Sequence, residues 1–127
     1  MRIGLVVDHP KRDLPGAVML GYQLARRGVS VVLVPMYEQA VDVPRLGLDA
    51  LVVNYARPVN LDLMRSFAKA GLALYVLDTE GGVLAEKGGN SPSAMAEYVK
   101  ASGYANILSG YFCWGSRLHD ASWRREP

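Results

Sequence analysis

Residues 3–16 read IGLVVDHPKRDLPG, and this stretch decides the fold. The apolar run Ile3–Val7 stops abruptly at a polar cluster of Asp8, His9, Lys11, Arg12 and Asp13. Gly16 then opens a helical pattern. A short apolar run bounded this way reads as a buried parallel strand that delivers a turn and a helix N-terminus. In an open α/β sheet, ligands collect where strands end and helices begin.

Working outward, the same unit repeats. A helical pattern over 14–27 carries Val18, Leu20, Tyr22, Leu24 and Ala25, ends in Arg26–Arg27, and has Gly28 at the C′ position. Ser30–Val34 is a β-branched run that suits burial on both faces, and Pro35 stops it. Residues 41–49 hold Pro44 and Gly47 and leave room only for a short helix. Further strands are expected at Ala50–Asn54, Ala73–Leu77 and Tyr111–Trp114. Between them lie helical segments at Leu61–Ala70, with Asn60 as N-cap, and at Ala94–Ala101, with Ser93 as N-cap. Short apolar strands alternating with helices mean βαβ units, right-handed crossovers and a parallel sheet. The expected architecture is a three-layer α/β, Rossmann-like domain over residues 1–127. Its five parallel strands take the order 3-2-1-4-5, with helices on both faces.

Composition narrows the function classes. Half of the 127 residues are hydrophobic and a fifth are charged, which is a globular balance. No apolar run approaches the ~20 residues of a membrane span. The chain runs from Met1–Arg2 straight into a strand, so no targeting segment is expected. One cysteine, Cys113, offers no internal disulfide and no zinc spacing, and a cytoplasmic location is expected. A net charge of +2 is too small to argue for nucleic acid.

The candidate site residues lie at strand ends, which a parallel sheet gathers on one edge. With strands one and four as neighbours, Asp8 and Asp78 would face each other across the switch point. His9 and Asp13 suit proton transfer, and Lys11 and Arg12 suit a phosphate or a carboxylate. The ordinary alternative is that Asp13 caps the following helix, with Pro15 near N1 and the basic pair solvated. Gly16 lets another group approach the helix start. The cluster Asp78, Thr79, Glu80, Gly81 and Gly82 suits hydroxyl-rich ligands, a metal, or acid–base chemistry. Read alone, it is a turn with an Asp cap. Asn54, Tyr55 and Arg57 could hold a sugar hydroxyl or an anion, or simply make the turn before Pro58. Trp114 could stack on a sugar ring or cover the core edge. Cys113 has no base partner in sequence, and His119 lies in the tail. No dinucleotide or P-loop glycine pattern is present, and no convincing metal-ligand set.

The segments DHPKRDLPG (8–16), LARRG (24–28), VVLVPM (31–36), VLDTEGGV (76–83) and YFCWG (111–115) resemble the N-terminal half of bacterial surface carbohydrate biosynthesis proteins. These are glycosyltransferase-like proteins of the two-domain GT-B type. The resemblance spans almost the whole chain. It implies an acceptor-side domain in polysaccharide assembly, with Asp8, His9, Arg12, Asp13, Gly16, Asp78, Glu80, Gly81 and Gly82 lining a cleft. On this reading His9 or Glu80 moves a proton, Arg12 meets an anionic group and Asp78 orients a hydroxyl, with Asn54 and Arg57 as further substrate contacts. The acceptor would be a sugar or a lipid-linked glycan. The nucleotide-sugar donor would bind a second domain or a separate chain, without a metal. The isolated chain would be inactive, self-association is possible, and the setting would be cytoplasmic or peripheral to the inner membrane. A second reading is a stand-alone small-molecule binding or regulatory module on a Rossmann-like scaffold.

Overall fold

A computed structural model of the chain describes residues 1–78 and 102–112. The strands are β1 (Arg2–Val7), β2 (Ser30–Pro35), β3 (Ala50–Val53), β4 (Ala73–Leu77) and β5 (Gly110–Phe112). The helices are α1 (Leu14–Ala25), the single turn α2 (Gln39–Asp42) and α3 (Leu61–Lys69). All four strand pairings are parallel. The protein is therefore an α/β domain with a five-stranded parallel sheet and helices on both faces, as the alternating pattern implies. The expected helix at 94–101 lies outside the described residues.

The strand order is β2-β1-β3-β4-β5, not 3-2-1-4-5. The chain leaves the β2 edge, passes over β1 and inserts β3 between β1 and β4. The two-sided burial expected for Ser30–Val34 therefore falls to β3. In β3, Ala50, Leu51 and Val53 are buried, whereas Leu33 on the β2 edge keeps 39% of its surface exposed. Pro35, the last residue of β2, pairs with Val7 on its inner side, and its missing N–H is harmless on an edge strand.

Alternation along the strands divides the core. Val6, Val34, Leu51, Val53, Leu74 and Val76 form one cluster with Met64 and Phe67 of α3 and with Tyr104 and Leu108. Met64 and Leu74 are wholly buried, and each such side chain stabilises the fold by about 1.5–3 kcal/mol. On the opposite face α1 packs closely. A Cβ built on Gly21 would lie 3.3 Å from Val31 Cγ1 and 3.7 Å from Leu5 Cδ1. α1 ends as its sequence implies: Arg27 donates to the Gln23 carbonyl at 3.0 Å, and Gly28 takes φ +80°.

Asn60 does not cap α3 through its side chain. Its Oδ1 instead accepts the Arg57 N–H at 2.9 Å, and its Nδ2 donates to the Tyr55 carbonyl at 3.0 Å. The Tyr104 hydroxyl lies against the same Oδ1 and 2.9 Å from the Arg57 carbonyl. The loop after β3 is thereby tied to the segment that precedes β5.

Candidate functional site

Parallel pairing places the C-terminal ends of all five strands on one edge. Where a connection leaves in opposite directions from adjacent strands, a crevice opens between them. In this order that switch point lies between β1 and β3. Asp78, at the end of β4, is separated from Asp8 by the width of β3. Two strand spacings amount to about 10 Å. The expected face-to-face pair of Asp8 and Asp78 is thus replaced by the β1 turn facing Asn54.

The β1 turn is closed on itself. The Asp13 and Arg12 N–H groups both donate to the His9 carbonyl, at 2.8 and 3.2 Å. Arg12 N–H also lies 3.3 Å from His9 Nδ1, which leaves Nε2 as the free edge of that ring. The Arg12 guanidinium forks onto Asp13, with Nε to Oδ1 at 2.7 Å and Nη2 to Oδ2 at 3.1 Å. The same Nη2 reaches Asp8 Oδ2 at 3.1 Å. His9 N–H donates to Asp13 Oδ2 at 3.0 Å. Asp13 is almost wholly buried, and the hydrogen bond from Arg12 holds its carboxyl below the usual aspartate range, against the opposing effect of burial. Capping is therefore not the role of Asp13, because its carboxylate makes no bond to the first turn of α1. Pro15 does occupy the start of that helix, as expected.

Arg12, Asp13, Gly16 and Asn54 line a cavity of about 380 Å³, whose walls are completed by Leu5, Leu20, Val52 and Leu77 among others. A Cβ built on Gly16 would meet nothing within 4 Å, so the helix start is open to an incoming group. Asn54 is 7% exposed and lines this cavity.

The remaining candidates lie elsewhere. Asp78 is buried and accepts the Tyr111 hydroxyl on Oδ2 at 2.9 Å. Arg57 turns its guanidinium over the Tyr55 ring, 5.1 Å from the centroid. Glu80, Gly81 and Gly82, with Cys113, Trp114 and His119, lie outside the described residues. Among the described residues no cluster of His, Cys, Asp and Glu has a metal-binding arrangement, and no helix is long and apolar enough to cross a membrane. Sequence reasoning missed the apolar lining, Leu20, Val52 and Leu77, because these residues read simply as core. No family model, curated protein or solved structure matches the chain.

Proposed function

We propose that this domain binds a hydroxylated, sugar-type ligand at the β1/β3 switch point, as the acceptor-side half of a GT-B-like glycosyltransferase in surface polysaccharide assembly. The observation that carries the reading is the grouping of the Asn54 carboxamide, the Asp13–Arg12 pair and the open start of α1 around one cavity. A carboxamide offers both a donor and an acceptor to a vicinal diol. The Asp13 carboxylate can accept from a ligand hydroxyl, with Arg12 holding it in place. His9, exposed in the same turn, is the group there suited to proton transfer. Glu80 has the same suitability by its chemistry alone. The resemblance of the strand-end segments to surface carbohydrate biosynthesis proteins supplies the reaction class. It also supplies a donor sugar nucleotide held by a further domain or chain.

Titration of the labelled protein with mono- and disaccharides tests the site. The expected response is amide shifts at Gly16 and Asn54 that Asn54→Ala weakens. Sugar panels that leave both residues unmoved refute the assignment. A stand-alone binding module draws on the same cavity. Loss of sugar transfer on Asp13→Asn, in a preparation supplied with the donor-binding partner, separates the glycosyltransferase reading from it.

A further inference from the structure

β2 is the outer strand of the sheet and is paired on one side only, by β1. Its sequence, SVVLVP, carries no charge, and its six residues run in continuous register along Arg2–Val7 with no bulge. Sheets usually blunt a free edge with a lysine, a bulge, an inward charge or a very short strand. Here only Pro35, at the far end, does so, and Ser30, Leu33 and Pro35 are exposed. The pairing with β1 fixes which amides face outward. Ser30 N–H donates to the Met1 carbonyl at 3.1 Å. Backbone groups alternate sides along a strand, so Ser30, Val32 and Val34 direct theirs to β1, while Val31 and Leu33 direct theirs away from the sheet. Pro35 falls in the outward set and has no N–H to offer.

We propose that this edge pairs antiparallel with β2 of a second copy of the chain, about a two-fold axis through Val32, joining the two sheets into one. The proposal stands apart from the sugar reading. Hydrogen bonding selects the register. An axis through Val32 sets Val31 opposite Leu33 of the second copy, and each such pair exchanges both N–H···O bonds, so both outward amides are used. An axis through Leu33 would set Val31 against Pro35 and lose a donor. An axis through Val31 would set Leu33 against Val29, whose N–H is already given to the Leu24 carbonyl at 3.2 Å.

Side chains and charge select the occupant. Val31 packs toward α1 at Gly21, and Leu33 lines a cavity with Leu14 of α1, so both lie on one face. Directly opposed residues share a face, and Leu33 is therefore covered by Val31 of the second copy. No charged residue meets its own symmetry mate at the centre. Antiparallel pairing also brings the residues before β2 beside those after β2 of the second copy. The first hold Arg26 and Arg27 and the second Glu38, all exposed. Among the described residues none of the three is in a salt bridge: Arg26 lies over the Tyr22 ring, and Arg27 donates to the Gln23 carbonyl. The same chain thus carries the edge and its complement. The switch-point cavity lies across β1 from this edge and stays open in the dimer.

A single strand pair is a small interface, below the ~800 Å² per partner of stable complexes, so association is weak and depends on concentration. Sedimentation equilibrium from micromolar to millimolar protein, with amide hydrogen exchange at both ends of that range, tests it. The mass should rise toward that of a dimer. The Val31 and Leu33 amides should gain protection with concentration, while Ser30, Val32 and Val34 stay protected throughout. Leu33→Lys, at an exposed position, should weaken association about tenfold with the urea melt still cooperative. Glu38→Arg should weaken it as well, and adding Arg26→Glu and Arg27→Glu to that chain should restore it. Val32→Cys in a Cys113→Ser background should cross-link two copies on mild oxidation, because residues opposed on the axis come within disulfide reach. A chain that stays monomeric throughout overturns the proposal. So does a dimer whose Val31 and Leu33 amides exchange as freely as in the monomer, or one that neither Leu33→Lys nor Glu38→Arg weakens.

Discussion

Removal of the Tyr104 hydroxyl measures how firmly the loop that carries Asn54 is held. Tyr104 is wholly buried, and its hydroxyl bridges the Arg57 carbonyl and Asn60 Oδ1 across a sequence separation of more than forty residues. In Tyr104→Phe neither acceptor is orphaned. The Arg57 carbonyl keeps the Asn60 N–H at 3.2 Å, and Asn60 Oδ1 keeps the Arg57 N–H at 2.9 Å. The cost is therefore that of a net hydrogen bond, about 1 kcal/mol, rather than the larger penalty for a stranded buried group. Tyr104→Ala also opens a cavity and should cost about 3–5 kcal/mol. Urea unfolding followed by circular dichroism should give the two variants midpoints in that order with an unchanged denaturant slope. For a domain of this size, about 1 kcal/mol lowers the Tm by roughly 4 °C. If Tyr104→Phe costs as much as Tyr104→Ala, or nothing, the hydroxyl is not the latch described here.

Four further outcomes follow from particular contacts. Gly4→Ala places a Cβ 2.6 Å from Leu48 Cδ1 and 2.8 Å from Leu51 Cδ1, and thermal melts should show a loss of about 1–3 kcal/mol. Asp13→Asn should remove a pH-dependent stabilisation. Because Arg12 holds the folded-state pKa below the unfolded one, the wild-type advantage is full above about pH 4 and shrinks as pH falls through the lowered value. Urea melts of both proteins across the acid range check the sign. Asn54→Ala should weaken sugar binding while urea melts still show a cooperatively folded domain. Gln39→Leu should be neutral or stabilising by up to about 1 kcal/mol, because Gln39 Oε1 is buried without a partner among the described residues.

The described strands, the helices α1 and α3 and the parallel sheet were legible in the sequence, and the order of the strands was not. Ile3–Val7 and Ala73–Leu77 announce themselves as strands by apolar runs between turn residues, and Gly28 and Gly71 mark helix ends by a positive φ that disfavours side chains. Hydrophobic periodicity states that a strand is buried, not which strand lies beside it. The run VVLV at 31–34 carries more β-branched bulk than ALVV at 50–53, yet β3 is central and β2 is an edge. The one local signal was Pro35. A residue with no N–H to give is tolerated at the end of a strand with one open side.

That exchange of neighbours moves the site rather than merely relabelling it. With β3 beside β1, the group across from the β1 turn is an amide, where the expected order would have set a second carboxylate. Two carboxylates facing each other raise one another's pKa, or call for a metal or a shared proton. Arg12 pairs with both Asp13 and Asp8, and the Asn54 amide adds no charge. On the proposed reading, this cavity takes neutral, hydroxylated ligands. Asp78, displaced to the next strand and bonded to Tyr111, is left to fix the β4 and β5 ends. The measurement that decides between the two arrangements is therefore the comparison of Asp78→Asn with Asn54→Ala. The first should spare sugar binding and loosen the β5 end, and the second should do the reverse.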